Sequence, residues 1–535
     1  MTAVTSLVER IDQDVPPTNK WVVTMTVLAG TMASSISGSS VNVALPHIQA
    51  SLGVTTQQVT WVATSYLTAL VIVMPLTAWL SSVLGRKLMY LIALTTFTLA
   101  SAGCGLSQTL GELIFFRVIA GLGGGAMLPT SQAIMRETFP PEEQGQAMGI
   151  FGMIAFLGPA VGPTLGGWLT DNYTWHWIFF VNLPIGPLGL LLASRFLHDP
   201  PYMRARGLQR VDAVGIGLLA IGLTAVQVVL EEGEQDDWFR SSFINVTTVT
   251  AVLALVAFVL WELYTPGPAV NLRILQNLTF TAGTFIGGVF GVAMFGTILV
   301  LPLFLQNLLG YDATQAGLAL MPRALTMVVM MYVAGHFYNR LGVYVMVPFG
   351  LTLTAVAGFM MGRFTLDSGP VQILIPQVVQ GIGFSFLSIP LATATLALMP
   401  RPLMQSATGL FNLVRQLGGS IGTAAVITIL DHRTTSASTR LMRYASTCNP
   451  TFLHWWSAYE AALVARGSDP WSAHRRALAA LQTLINQQAS VVAYDTVFTV
   501  VGALFLACIP LVALMRSRSS ERTTVADASR PSANA

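Results

Sequence analysis

The stretch GIFGMIAFLGPAVG (149–162) is followed, 260 residues later, by the similar stretch GLFNLVRQLGGSIG (409–422). The segment RVIAGLG, which begins at Arg117, is matched at the same spacing of 260 residues by QVVQGIG, which begins at Gln377. Two further pairs follow at nearly the same spacing: LPHIQASLG (45–53) with LPLFLQNLLG (301–310), and AWLSSVLGRK (78–87) with GHFYNRLG (335–342). Four pairs in one order indicate that the chain contains two copies of one structural unit.

The composition places both copies in a lipid bilayer. The chain has 535 residues, of which 53% are hydrophobic and only 10% are charged, and its mean hydropathy is +0.64. Soluble domains carry about 25% charged residues, so we expect an integral membrane protein. The formal net charge of +3 gives no reason to expect a nucleic-acid partner. Three scattered cysteines, without a CxxC pair or a His/Cys cluster, indicate neither a disulfide framework nor a metal site.

Segments of about 20 mostly apolar residues are long enough to span a bilayer. Fourteen such segments are predicted, near residues 21–45, 58–80, 88–106, 112–135, 145–170, 176–197, 211–230, 243–263, 279–305, 314–336, 343–363, 371–398, 404–430 and 491–515. The matched pairs lie eight spans apart, so both copies have the same orientation and two spans are inserted between them. We therefore predict an all-α membrane protein of six, two and six spans, with two six-helix bundles as a parallel repeat.

This count divides the chain into consecutive units. They are an N-terminal segment 1–20, a six-helix bundle 21–200, a two-helix insert with its linkers 201–270, a second six-helix bundle 271–515, and a tail 516–535. An even number of spans puts both chain ends on the same side of the membrane.

The distribution of basic residues orients the protein. Short cytoplasmic connections are enriched in lysine and arginine, and the connections on the side of the chain ends contain Arg86, Lys87, Arg136, Arg195, Arg204, Arg206, Arg210, Arg273, Arg340 and Arg401. The short connections on the other side contain essentially Arg240 alone. We therefore expect both ends to be cytoplasmic and the polar connection 431–490 to lie outside. Within it, residues 473–492 have the apolar spacing of an amphipathic helix.

Four stretches carry a resemblance to a known family: NVALP (42–46), PLTAWLSSVLGRK (75–87), LIFFRVIAG (113–121), and GPAVGPTLGG with DNYTWHWIFFVNLPIG (158–186). They resemble the major facilitator superfamily, and within it the fourteen-span drug:proton antiporters of the EmrB/QacA type, closest in pattern to EmrB-like multidrug export permeases. The resemblance covers nearly the whole chain. It implies the major facilitator fold, the proton gradient as energy source with no cofactor, and, in two-membrane bacteria, a periplasmic membrane-fusion adaptor and an outer-membrane channel as partners.

The chain departs from the family pattern at several positions. The acid of the first span falls on Ser37, and the glutamine of the fourth-span motif falls on Ala120. The first copy of the cytoplasmic loop motif keeps only Gly85, Arg86 and Lys87, whereas the second copy keeps Gly335, Asn339, Arg340 and Gly342. Since a serine hydroxyl does not titrate at physiological pH, we expect any proton to be carried elsewhere. The candidates near span ends are Asp171, Glu112 and His336.

Three arginines fall at least five residues from either end of predicted spans, and a charge costs about 2.5–3.5 kcal/mol at the helix centre on translocon scales. We assign Arg117, Arg323 and Arg415, together with Asp171, as candidate transport and coupling residues. The alternative is that backbone carbonyls hold these arginines in a structural role. Polar residues predicted to line a cavity are Ser37, Asn42, Tyr66, Gln132, Gln377, Asn412 and Gln416. The alternative for each of them is a hydrogen bond between neighbouring helices.

The fifth span contains a repeat of small residues. Its members are Gly158, Pro159, Gly162, Pro163, Gly166 and Gly167, and three of the glycines recur every four residues on one helix face. Small faces let membrane helices approach closely, and proline kinks a helix. We interpret this face as a bendable, gating seam between the two halves; the alternative is a static packing face.

These features favour an exporter of small amphipathic compounds that works by alternating access and is driven by protons. The rival interpretation is a facilitator, or a dedicated exporter of one metabolite or weak acid, with the same fold. A receptor is expected to carry a cytoplasmic signalling domain, and only twenty residues follow Met515. An enzyme requires a cluster of ionisable groups that faces one cavity, and the sequence shows none.

Overall fold

The structure is a computed structural model that describes residues 19–140, 142–199, 212–265, 267–445 and 449–515. Within these residues all regular structure is helical, and fourteen helices are long and apolar enough to cross a membrane. The predicted number of spans and the all-α class are therefore confirmed. The N-terminal segment up to residue 18, the linker arginines Arg204, Arg206 and Arg210, and the tail 516–535 lie outside the described residues.

The helices form two bundles and an insert. The first bundle contains α1 (Lys20–Leu52), α2 (Thr56–Leu84), α3 (Arg86–Leu106), α4 (Leu110–Thr138), α5 (Gln144–Asn172) and α6 (Trp177–Phe196). The insert contains α7 (Ala213–Glu232) and α8 (Ser242–Tyr264). The second bundle contains α9 (Leu278–Asn307), α10 (Ala313–Leu341), α11 (Val343–Met361), α12 (Pro370–Ala397), α13 (Met404–Tyr444), the shorter α14 (Pro450–Ala465) and α15 (Pro470–Cys508).

Local chemistry accounts for several helix ends. The side chains of Thr55 and Asp312 form capping boxes at the starts of α2 and α10, two helices that the repeat makes equivalent. Each of these helices passes to the next through a single glycine of the loop motif, Gly85 (φ +81°) or Gly342 (φ +69°). A residue with a side chain would be strained at these positive φ angles. The backbone conformation therefore favours glycine at both positions.

The sequence predicts the sixth span as one continuous helix over 176–197, and this prediction is wrong. It consists of Trp177–Phe180 and Ile185–Phe196, joined by a turn over residues 181–184. Pro184 has no backbone N–H and disfavours helical geometry at the residue before it, so the break coincides with the proline.

The packing follows the repeat. Helix α1 packs on α5 and α2 packs on α4, and in the second bundle α9 packs on α13 and α10 packs on α12. The bundles meet through α5 with α10 and through α2 with α13, which are equivalent pairs under the repeat. The insert is peripheral: α7 packs on α2 and α13, and α8 packs on α7. The space between the two bundles is therefore bordered by α2, α5, α10 and α13.

The outer connection 431–490 is not a loop. Helix α13 is 41 residues long, or about 62 Å at 1.5 Å per residue, which is about twice the ~30 Å thickness of the hydrocarbon core. Helix α15 is 39 residues long and contains the predicted amphipathic stretch 473–492, so that helix is confirmed. We call the extramembrane part of α13, helix α14 and the start of α15 the outer helical unit (residues 431–445 and 449–490).

Side-chain contacts hold the outer helical unit together. Ser438 of α13 donates a hydrogen bond to Asn486 of α15 at 3.3 Å. The ring of His474 lies 3.3 Å from the carboxylate of Glu460 and 5.4 Å, centroid to centroid, from the ring of Trp456. The second bundle thus extends beyond the membrane as a packed group of three helices.

Candidate functional site

We call the end of the molecule at which α1 begins and α15 ends the inner end. Here two side-chain hydrogen bonds join α4 of the first bundle to α13 of the second. Nδ2 of Asn412 donates to Oε1 of Gln132 at 2.6 Å, and Nε2 of Gln405 donates to Oγ1 of Thr130 at 2.9 Å. All four side chains are buried. Because buried amides need partners, these bonds favour contact between the bundles at this end.

Helices α5 and α10 also meet at the inner end, through small residues. A Cβ atom on Gly335 of α10 would lie 2.4 Å from the carbonyl oxygen of Gly145, and one on Gly149 would lie 2.8 Å from that of Met331. Asn339 of the loop motif donates to the carbonyl of Glu142 across the same interface. We call these α4–α13 and α5–α10 contacts the inner closing layer.

Phe156 and Arg415 lie outward of the inner closing layer, about two helical turns beyond Gly149 on α5 and about one turn beyond Asn412 on α13. Phe156 continues the α5 face that contains Gly149 and Gly152, and Arg415 is three residues after Asn412 on α13. The guanidinium carbon of Arg415 is 5.9 Å from the centroid of the Phe156 ring, so the two bundles meet here as well. Both side chains are half-buried. Between the described parts of the two bundles, no hydrogen bond or ion pair lies outward of this level.

Arg117 is buried among three helices of the first bundle. Its Nε donates to the carbonyl of Val62 on α2 at 2.9 Å, and its Nη1 donates to Oγ of Ser37 on α1 at 3.3 Å. Its guanidinium carbon lies 4.0 Å from the centroid of the Tyr66 ring. A planar cation binds favourably over an aromatic face. The contacts that the described residues make with this charge therefore all come from neutral groups.

Arg323 makes the equivalent connection in the second bundle. Its Nη1 donates to Oγ1 of Thr297 on α9 at 3.3 Å and to Oε1 of Gln380 on α12 at 3.2 Å. Under the repeat, α9, α10 and α12 correspond to α1, α2 and α4. Among the described residues, each bundle therefore has a buried arginine that joins the same three helices, but the arginine is on α4 in the first bundle and on α10, the equivalent of α2, in the second.

The candidate proton carriers lie away from these arginines. Asp171 is exposed at the outer end of α5, where its carboxylate is 3.7 Å from the imidazole of His47. Glu112 is exposed near the start of α4, and His336 is exposed near the end of α10. None of the ion pairs among the described residues involves Arg117, Arg323 or Arg415.

The small-residue repeat of α5 packs within one bundle and is not the seam between the halves. A Cβ atom on Gly158 would lie 2.3 Å from Cβ of Ser35, and one on Gly162 would lie 1.9 Å from Oγ of Ser39, both on α1. The serines of α1 therefore face the glycines of α5, which allows the two backbones to approach closely. The inner part of α5, which contains Gly145 and Gly149, is the part that contacts α10 of the other bundle.

The first copy of the loop motif is completed by residues outside it. Arg86 forms a bidentate pair with Glu137 at the end of α4, with N–O distances of 2.7 and 3.1 Å. Asp199, from the segment after α6, accepts a hydrogen bond from the backbone N–H of Lys87 at 2.8 Å. A carboxylate near the start of α3 is favourable for the helix dipole, and Asp199 supplies this carboxylate from the segment after α6.

The remaining cavity candidates divide by location. Gln132 and Asn412 belong to the inner closing layer, and Gln416 is half-buried beside Arg415. Ser37, Tyr66 and Gln377 are buried inside single bundles, whereas Asn42 is exposed in the outer part of α1. Sequence reasoning missed Phe156, although its spacing of four residues from Gly152 and seven from Gly149 places all three on one helix face.

Comparisons with known proteins agree with this architecture. A family model described as Major Facilitator Superfamily matches residues 27–423. Multidrug export protein EmrB of Escherichia coli (strain K12) is 33% identical over 494 residues, which cover 92% of this chain and 94% of that protein. Fatty acid resistance protein FarB of Neisseria gonorrhoeae is 31% identical over 475 residues, covering 89% of this chain and 92% of that protein.

A solved structure supports the fold. The crystal structure of the human organic anion transporter MFSD10 (TETRAN) superposes with a TM-score of 0.61 and covers 93% of this chain and 100% of that one. Its sequence identity of 14% makes it a comparison of fold alone. The family model, the relatives and the paired six-helix bundles lead to one conclusion: the chain is a multi-pass membrane protein and belongs to the Major Facilitator Superfamily.

Proposed function

We propose that this protein is an efflux permease that moves small amphipathic compounds out of the cytoplasm or the inner leaflet by alternating access. The observation that carries the proposal is the position of Arg415 and Phe156 between two bundles. In the described parts of these bundles, the hydrogen bonds that join them all lie on the inner side of these two residues. Relatives named for multidrug export and for fatty acid resistance support the direction and the kind of substrate.

In this proposal the described conformation is one of two. Breaking the hydrogen bonds of Asn412 and Gln405 and separating Gly335 from Gly145 would open the inner end, while the outer ends of the bundles would approach each other. The inner closing layer is suited to such a change, since it consists of a few polar contacts and small residues. The space that contains Arg415 and Phe156 would then open first to one side of the membrane and then to the other. We propose no enzymatic step and no bound cofactor.

The proton gradient is the proposed energy source. Ser37 favours the second candidate function, a facilitator or a dedicated exporter of one metabolite or weak acid, because the first span lacks the expected acid. Purified protein in liposomes with a trapped pH-sensitive dye distinguishes the two. Substrate-induced proton movement across a panel of hydrophobic drugs and weak acids supports the antiporter. Substrate movement without proton movement supports the facilitator, and transport of a single compound supports the dedicated exporter.

The proposal includes the inner membrane as location and cytoplasmic chain ends, so the outer helical unit would lie in the periplasm. Labelling of a cysteine introduced at Ser436 in intact cells tests this orientation; labelling only after permeabilisation would contradict it. The unit exposes Tyr444, Trp471 and Leu453, although it lies beyond the hydrocarbon core. Exposed aromatic side chains are enriched at interfaces, and we propose that they contact a periplasmic membrane-fusion adaptor that leads to an outer-membrane channel.

A further inference from the structure

We propose that the substrates are amphipathic organic anions, whose acidic group binds Arg415 and whose apolar part lies against Phe156. This inference rests on the proposed export function and adds the chemical class of the substrate. It makes Arg415 a specificity-determining residue, whereas Arg117 and Arg323 act within their own bundles.

The first argument is the charge of the membrane-spanning region. Arg117, Arg323 and Arg415 lie within spans, and no described ion pair gives any of them a carboxylate partner. Charges in a medium of low dielectric constant interact strongly over short distances. A region with unpaired guanidinium groups therefore favours an anionic ligand and disfavours a cationic one.

The second argument separates Arg415 from the other two arginines. Arg117 donates to Val62 and Ser37, and Arg323 donates to Thr297 and Gln380. Arg415 has no hydrogen-bond or ion-pair partner among the described residues, and its guanidinium carbon lies 5.9 Å from the centroid of the Phe156 ring. Because a guanidinium has five N–H donors, Arg415 is free to bind an acidic group in bidentate fashion.

The third argument is the half-buried ring of Phe156 beside this charge, which the buried rings of Phe290 and Phe384 hold in place. The ring of Phe156 on α5 contacts that of Phe290 on α9 edge to face at 6.3 Å, and Phe290 contacts Phe384 on α12 at 5.1 Å. Counted from the helix starts at 1.5 Å per residue, Arg415, Phe156 and Phe290 all lie about 17–18 Å into the membrane. A half-buried cation and a half-buried aromatic ring at one depth, one from each bundle, match a molecule with an acidic head and an apolar body.

Two permanently charged amphiphiles of equal chain length test the inference, because neither crosses a bilayer readily in neutral form. Liposomes that contain the full-length protein are loaded with radiolabelled octanesulfonate or octyltrimethylammonium, and export is followed. We expect octanesulfonate to be exported faster. Arg415→Gln is expected to reduce octanesulfonate export about tenfold or more, since a desolvated charge pair is lost, and Arg415→Lys is expected to retain part of it. Arg363→Gln, at an exposed arginine between α11 and α12, is the matched control and should export normally.

A second measurement separates loss of binding from loss of folding. Octanesulfonate should raise the Tm of the wild-type protein and of Arg363→Gln, but not that of Arg415→Gln. Preference for octyltrimethylammonium, or normal octanesulfonate export by Arg415→Gln, would overturn the inference. If the protein exports neutral or cationic compounds but no anion, the inference fails while the proposed function stands. If it exports no compound of any charge, the proposed function fails as well.

Discussion

Nη1 of Arg117 lies 3.3 Å from Oγ of Ser37, and this contact joins α4 to α1. In the family that the chain resembles, the position of Ser37 carries an acid. Here a hydroxyl occupies the position and contacts the arginine directly. The charge of Arg117 is held by this hydroxyl, by the carbonyl of Val62 and by the ring of Tyr66, so the first span folds around a cation without supplying an anion.

Replacement of Ser37 by alanine is expected to leave most of the transport activity. The hydroxyl contributes one long hydrogen bond, and a bond to a charged group is worth about 1.5–3 kcal/mol at most, while Arg117 keeps its other partners. Export of a labelled substrate from liposomes, compared with wild type at equal insertion, is the measurement. A correctly inserted but inactive Ser37→Ala protein would show that the hydroxyl itself is essential.

Replacement of Ser37 by aspartate is expected to change the pH profile of transport. The new carboxylate would lie beside a buried guanidinium and add an ion pair, and it would be a titratable group where the wild type has none. Ser37→Asn, which is similar in size but does not titrate, is the control and should keep the wild-type profile. Identical pH profiles for the aspartate and asparagine variants would contradict the predicted contact.

Replacement of Asn412 by alanine is expected to shift the protein toward an inner-open conformation. The change leaves the buried carbonyl of Gln132 without its donor only while the inner end is closed, which costs about 1–3 kcal/mol in that conformation alone. Distances between spin labels at Asp171 and Gln306, which are exposed at the outer ends of α5 and α9, should shorten. Gln377→Ala removes a buried amide inside one bundle and should leave these distances unchanged.

Two glycine-to-alanine substitutions are expected to have different effects. In Gly158→Ala the new methyl group would lie 2.3 Å from Cβ of Ser35 within one bundle, and overpacking of this kind costs about 1–3 kcal/mol, so the Tm should fall. In Gly335→Ala the methyl group would press on Gly145 of the other bundle, so the inner end should open more often with a smaller change in Tm. Thermal unfolding and the spin-label distances above measure both effects. Equal losses of Tm with unchanged distances would contradict the assignment of the two interfaces.

The double substitution Tyr444→Ser and Trp471→Ser tests the outer helical unit. Both rings are exposed, so the protein should fold and transport normally in liposomes, while resistance of a two-membrane cell should fall because contact with the adaptor is weakened. Tyr264→Ser changes an equally exposed ring at the inner end of α8 and should preserve resistance. Unchanged resistance in the double variant would place the adaptor contact elsewhere, and loss of transport in liposomes would make the unit part of the transport mechanism.

The sequence by itself determined the fourteen spans, the parallel repeat and the intramembrane arginines. A span needs about 20 mostly apolar residues, which the sequence shows directly. The duplicated segments keep their order along the chain, which reveals the repeat. A charged residue within a span stands out because its burial in hydrocarbon costs free energy. Only the tertiary structure decided which faces meet: the glycines at 158, 162 and 166 face the serines of α1, while the face that contains Gly145 and Gly149 contacts α10. Lipid is as apolar as a packed membrane interior, so no contrast between polar and apolar residues marks the buried face of a span. The pairing of Ser37 with Arg117 and the position of Arg415 beside Phe156 therefore depend on helix rotation and depth, which the packing of the bundles sets.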